Sequence, residues 1–171
     1  MLEAIRKRRS IRKYKKKDIE AYKLKEILKA AMFSPSAMHR KPWEFIIVKD
    51  QEIKDKLSKA TPWSDFVKDA PLVLIIAARE ENSNWWMEDC SIAAEAIYLE
   101  ATNQALGTCF CQIANSKSLV AKDSEQYVRE IIQAPKDLRI LCLMPIGYPD
   151  EEKPKHSDEE FYEEKVHYEK Y

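Results

Sequence analysis

Glycine is nearly missing. Only Gly107 and Gly147 occur among 171 residues, where average usage would supply about a dozen. Dinucleotide fingerprints, P-loops and kinase glycine loops need several glycines, because the backbone must come close to phosphate. Those classes are excluded, so a phosphorylated ligand would have to be held largely by side chains. Long apolar runs are missing as well. The longest, Pro71 to Ala78, is far short of the roughly 20 residues that span a bilayer, so no membrane partner is expected. The N-terminal segment is basic and no apolar signal run follows it, so a cytoplasmic location is expected.

Metal-ligand patterns are also sparse. The cysteines are Cys90, Cys109, Cys111 and Cys142, and the three histidines are scattered. Cys109 and Cys111 would point the same way on a strand, but no second pair completes a zinc site. They read as small buried hydrophobes in a reducing compartment, and no metal is expected. No serine elbow, no Cys–His pair and no framed carboxylates are evident. A chain without an evident catalytic side chain suits a cofactor enzyme, in which the protein binds and orients.

Hydrophobic residues make up 45% of the chain and charged residues 34%, enough for one domain with its own core. Lys plus Arg and Asp plus Glu balance at 29 each, yet the charge is polarised. Residues 1–17 carry nine cations against Glu3 alone, and residues 150–171 carry nine acids against four lysines. Such opposed ends attract each other, within one chain or between two.

The periodicity predicts a helix from Ala21 through Leu24, Ile27, Leu28, Ala31 and Met32. It should stop at Ser34-Pro35, because the residue before proline is pushed out of helical geometry. A loop Ser34–Pro42, a strand Trp43–Val48 and a short helix Gln51–Ala60 follow. Pro71–Ala78 reads as a strand covered on both faces. A long helix from Trp86 to Leu106 carries Ala93, Ala94, Ala96, Ala101 and Ala105, small enough for another helix to approach, with Gly107 placed as its C-cap. Strands Thr108–Ile113 and Leu138–Ile146, separated by a helix ending near Gln133, complete a three-layer α/β or α+β pattern. The last twenty residues read as a charged arm whose Phe161, Tyr162, Val166, Tyr168 and Tyr171 need a surface to pack on.

Three constellations carry chemistry. Arg8-Arg9-Ser10-Ile11-Arg12 sets three guanidiniums and a hydroxyl within five residues, suited to phosphate oxygens. A solvated basic tail and a nucleic-acid patch are its alternatives, the second weakened because no other segment is basic and aromatics are sparse nearby. Ser34–Trp43 is bracketed by Pro35 and Pro42 and can present backbone groups, or it is a plain connection. Ala105–Gln112 is a helix end running into a strand, where ligands sit in layered proteins.

Together, Ile5–Tyr14, Ser34–Phe45, Asp89–Ala94 with Leu99–Cys109, and Pro145-Ile-Gly-Tyr-Pro149 resemble the motifs of the nitroreductase family of flavoproteins, in order and over essentially the whole chain. The resemblance implies one domain over 1–171, an α+β three-layer α-β-α sandwich, in an intertwined homodimer with 150–171 packing on the partner subunit. It implies FMN as cofactor, with Arg8, Arg9, Ser10 and Arg12 holding its phosphate, ribityl chain and pyrimidine edge. Pro35, Ser36, Ala37, Met38 and His39 would line the flavin ring from the other subunit. Gln112 and Ile113 would lie near its reactive side, and Lys155, or its neighbour Lys153 with His156 beside them, would cap the phosphate. Relatives often carry Asn in place of His39 and Gln in place of Lys41. The implied activity is ping-pong hydride transfer from NADH or NADPH to a small-molecule acceptor such as a nitroaromatic or quinone, with Trp85, Trp86 and Phe110 as candidate pocket walls. A non-catalytic FMN store or sensor, and a nucleic-acid binder using the basic terminus, are the rival readings.

Overall fold

The computed structural model describes residues 1–120 and 122–171. At its centre is an antiparallel sheet in the order β1 (Trp43–Val48), β2 (Leu72–Arg79), β5 (Leu138–Gly147), β3 (Gly107–Thr108), with β4 (Cys111–Gln112) also pairing with β5. Helices α2 (Ala21–Met32) and α4 (Trp86–Asn103) cover one face. Helices α3 (Gln51–Leu57) and α5 (Ser124–Ile132), with a 3-10 turn at Asp65–Asp69, cover the other. The short α1 (Glu3–Lys7) packs near α4. This is the expected three-layer sandwich.

Side-chain parity explains the layering. In β2, Leu72, Leu74, Ile76 and Ala78 face α2 and α4, and Val73, Ile75 and Ala77 face α3 and α5. Leu72 to Ala78 are each 1% exposed or less, as a strand covered on both sides requires. Each fully buried Leu or Ile contributes about 1.5–3 kcal/mol. The small side chains Ala93, Ala94 and Ala101 let α2 settle on α4 through Ile27 and Ala31. Asp50 and Asp123 cap α3 and α5 by accepting from the Ile53 and Gln126 N–H groups, which satisfies donors the helices leave open.

Strand β5 changes parity partway along. Leu138 and Ile140 face α5, but so does Leu143, whereas Leu141 and Cys142 both face α4. The register against β2 slips between Ile76 and Ala77, leaving Leu141 as the extra residue of a β-bulge. The Leu141 carbonyl then accepts from both Ile113 N (2.9 Å) and Ala114 N (3.1 Å), and Glu125 on α5 accepts from Ile140 N at 3.0 Å. The bulge therefore fixes where the chain leaves β4.

Two expectations are corrected. Gly107 is not the C-cap of α4: the left-handed residue is Ala105 (φ 58°), and the Leu106 N–H closes on the Ala101 carbonyl. Gly107 instead serves close approach, because a Cβ there would lie 2.7 Å from Ile11 Cβ. The strand expected over Thr108–Ile113 is two short pairings, β3 and β4, broken at Cys109-Phe110. Among the described residues no helix is long and apolar enough to cross a membrane.

Candidate functional site

The basic N-terminal segment is built into the sheet rather than free in solvent. Ser10 bridges Thr108 in parallel, Ile11 N donates to the Thr108 carbonyl at 2.9 Å, and Tyr14 bridges Pro149. The buried Tyr14 hydroxyl donates to the Ile11 carbonyl at 2.5 Å. Glu151 accepts from the backbone N–H groups of Arg12 (2.5 Å) and Lys13 (3.2 Å). Burial pushes the Glu151 carboxyl up, but those two donors and the nearby lysines outweigh it and hold it below the ordinary range. Arg8 to Arg12 are thus displayed on a fixed backbone.

Their side chains are not neutralised. Among the described residues, Arg6, Arg79, Arg129 and Arg139 each have a carboxylate within 4.0 Å, and Arg8, Arg9 and Arg12 have none. Arg8 lies over the Tyr98 ring (5.1 Å to its centroid) and contacts His156 Nε2 at 3.2 Å. Arg9 donates to the Pro154 carbonyl, and the exposed Arg12 lies over the Phe66 ring at 5.6 Å. Half-exposed guanidiniums lacking a counter-charge are receptors for an anion.

Beside them opens a cleft of about 500 Å³, lined by Arg12, Trp63, Phe66, Cys109, Phe110, Cys111 and Gln112 among others. That volume lies in the range of small-cofactor pockets, and its aromatic walls, with Arg12, Thr61, Gln112, Ser116 and Lys117 between them, suit a planar ligand with polar edges. Tyr98 ties the cleft to the arginines: its hydroxyl accepts from Phe110 N at 2.8 Å and meets Ser10 Oγ at 3.1 Å. Cys109 and Cys111 form a thiol pair here. The Cys111 thiol donates to the Cys109 carbonyl at 3.8 Å, and the neighbouring Cys111 thiol, with Arg12, Ser10 and Tyr98, lowers the Cys109 thiol by more than its burial raises it, so it is held well below its ordinary range. By contrast, burial pushes Cys90 up to about 12. Cys109 should therefore be the first of the four thiols alkylated by iodoacetamide at pH 7, and Cys111→Ala should slow it several-fold. Residue-resolved mass spectrometry checks this; equal rates at Cys109 and Cys90 would contradict a lowered Cys109 thiol.

The other candidate residues are placed as follows. Gln112 is exposed on the cleft, whereas Ile113 is fully buried beneath it, its N–H already given to Leu141. The loop holding Pro35, Ser36, Ala37, Met38 and His39 sits at the other end of α4. Buried Asp89 accepts from Ala37 N at 2.8 Å and from Ser83 Oγ at 2.9 Å, and Ser36 Oγ accepts from Lys41 N. Met38, His39 and Lys41 hold positive φ, with Met38 77% exposed at the tip. Asp89 and Tyr98 are nine residues apart, about 13 Å along the helix. Lys155 pairs with Glu3 at 3.1 Å, while Lys153 reaches the Ser10 carbonyl.

Tyr98, Trp63 and Phe66 escape the sequence reading. Tyr98 falls among apolar residues of a helix and reads as core, and the two aromatics sit in a segment with no periodic pattern. Of the aromatics that were candidates, Phe110 lines the cleft, Trp86 is buried under Arg139, and Trp85 is half exposed. Residues 156–158 lie against the chain's own N-terminal segment, with Arg6–Asp158 at 2.7 Å and His156 N on the Arg6 carbonyl, and residues 161–171 are exposed.

Fold and site define a class: an antiparallel sheet between helical layers, with unneutralised arginines on one edge beside an aromatic cleft. The model of the nitroreductase family matches residues 5–64 and 58–148, and the chain belongs to that family. An FMN-dependent nitroreductase from Clostridium difficile R20291 is 39% identical over the full length of both chains, with a TM-score of 0.96. A Thermus thermophilus NADH dehydrogenase is 28% identical over 85% of each chain. An iodotyrosine deiodinase from Thermotoga neapolitana is 26% identical over 88% of this chain and 89% of its own.

Proposed function

We propose that this protein binds FMN and passes hydride from NADH or NADPH to a small organic acceptor. One observation carries this: Arg8, Arg9 and Arg12 lack carboxylate partners yet are fixed beside a cleft walled by aromatic rings. The residues fit the group. Arg8 and Ser10, with Arg9 beside them, would hold its phosphate, and Lys153, on the Ser10 carbonyl and Glu151, and Lys155, on Glu3, are the lysines near enough to cap it. Bound FMN supplies the two-electron chemistry. Arg12, exposed over Phe66 at the cleft, would set a positive charge beside the bound group and so favour its more negative, reduced state. Phe66 and Phe110 would wall the ring off from water, with Trp63 standing at the rim, and Gln112, whose amide nitrogen donates to the Ala114 carbonyl, offers its amide oxygen to whatever enters the cleft. Donor and acceptor use this cleft in turn.

The loop Pro35–His39 belongs to the same reading as a contribution from a second copy. It is held at the far end of α4 from Ser10, with its tip turned to solvent. A homodimer brings that tip, including His39, to the partner's cleft, and the apolar arm residues Phe161 and Tyr162 gain a surface to pack on.

The test is the visible spectrum of the FMN-loaded protein mixed with NADH or NADPH without oxygen. Loss of the flavin absorbance and its return on adding a quinone support hydride transfer. A flavin that stays oxidised points to a store or sensor instead.

A further inference from the structure

On the far side of Arg12 lies a second cleft, of about 830 Å³, whose lining carries eight cations against three carboxylates, Asp18, Asp69 and Asp150. Segment 12–18, the start of α3 and the stretch 68–71 form its walls. The lysines are held in place. Lys15 N donates to the Tyr148 carbonyl at 2.8 Å, Lys17 N to the Lys15 carbonyl, and the Lys13 carbonyl accepts from Asp150 N at 2.9 Å.

Their charges are mostly uncompensated. Lys68 pairs with Asp65 and Lys17 with Glu20, but among the described residues Lys13, Lys15, Lys16 and Lys49 have no carboxylate within 4.0 Å. Lys54 is 4% exposed, and its ammonium donates to the Ala70 carbonyl at 2.7 Å. Burial pushes this lysine below its ordinary range, opposed by Asp55, Asp50, Asp69 and Asp18. Lys54 thus has aspartates around it and serves the cleft as wall, so the positive charge open to an anion is that of Lys13, Lys15, Lys16 and Lys49.

The two clefts adjoin. Arg12 lines both, and the stretch from Thr61 to Pro71 walls the aromatic cleft with its first half and the lysine cleft with its second. A ligand with a flat ring at one end and phosphates farther along its length matches that pair. We propose that the lysine cleft takes the phosphates of the nicotinamide dinucleotide, with its greatest gain from the third phosphate of NADPH. The inference rests on the hydride-transfer reading and names the donor that reading leaves open.

The probe is 2′,5′-ADP, which carries phosphates but no nicotinamide, with adenosine as control, titrated calorimetrically at 50 and 300 mM salt. The bisphosphate should bind, adenosine should bind at least tenfold more weakly, and the bisphosphate's affinity should fall with salt as exposed charges are screened. The triple variant Lys15→Ala/Lys16→Ala/Lys49→Ala, on exposed positions, should melt like the parent and bind the bisphosphate at least tenfold more weakly. Its KM for NADPH should rise about tenfold, narrowing any preference over NADH. Equal binding of adenosine, unchanged binding by the variant, or tighter binding of mixed-sequence duplex DNA than of 2′,5′-ADP overturns the proposal. Binding is read without flavin, so the two failures separate. A protein that takes up no FMN yet binds 2′,5′-ADP through these lysines loses the flavin reading only. One whose flavin NADPH reduces, but which ignores the bisphosphate, loses this one.

Discussion

Replacing Arg8 or Arg12 with alanine is expected to weaken FMN binding roughly tenfold to a hundredfold, from the loss of about 1.5–3 kcal/mol per charge-assisted hydrogen-bonding group. Neither guanidinium has a carboxylate partner to lose. Arg12 is exposed, so its removal should change the stability of the flavin-free protein by no more than about 0.5 kcal/mol. Arg8 also covers the Tyr98 ring, so Arg8→Ala should cost slightly more, about 0.5–1 kcal/mol for an exposed cation–π contact. Arg8→Lys keeps the charge but not the planar fork, and should recover only part of the affinity. Flavin fluorescence quenching reads the affinity and thermal melting of the flavin-free protein reads the stability. Both variants binding FMN like the parent would remove the arginines from the phosphate site.

Glu125→Ala should damage the fold strongly. Glu125 is 5% exposed and accepts from Arg139 Nε (2.9 Å) and Nη2 (3.0 Å), and from Ile140 N. Its carboxylate in turn holds the Arg139 guanidinium well above the ordinary arginine range. Arg139 keeps Glu80 at 2.7 Å and its place over Trp86, so the cost is the loss of hydrogen bonds to a buried carboxylate and a stranded Ile140 N–H, about 2–4 kcal/mol. For a chain of this size that is a fall in Tm of roughly 4–16 °C. The effect should reach the site as well, because the clamped N–H adjoins the Leu141 bulge whose carbonyl anchors Ile113 and Ala114. Cys111 and Gln112 precede that anchor directly. Glu125→Gln, which can still accept from Ile140 N, should lie between parent and alanine in both melting temperature and flavin affinity. An alanine variant melting within 2 °C of the parent, by the same size scaling, would contradict the clamp.

Much of this architecture is legible in the residues. The apolar run Leu72–Ala78 announces a strand buried on both faces, Pro35 ends α2, and alternating elements announce a layered sandwich. Three features are hidden for physical reasons. The Leu141 bulge is one extra residue inside a continuous apolar run, so no alternation is present to show the parity change. Gly107 looks like a helix cap because glycine commonly tolerates left-handed geometry, but Ala105 adopts it and glycine is needed for room against Ile11. Tyr98 looks like core because a helix face does not reveal which hydroxyl meets a loop from another part of the chain. The lysine cleft is half visible. Lys13, Lys15 and Lys16 are consecutive with the arginines, but Lys49, Lys54 and Lys68 join them only through the packing of α3 against the 65–69 turn.

The most direct test of the central claim is to titrate the flavin-free protein with FMN and, separately, with riboflavin, which lacks the phosphate. If the arginine set is a phosphate receptor beside a ring-binding cleft, FMN should bind at least tenfold more tightly than riboflavin, and Arg8→Ala should close most of that gap. Equal binding of the two flavins, or binding of neither, would contradict the account.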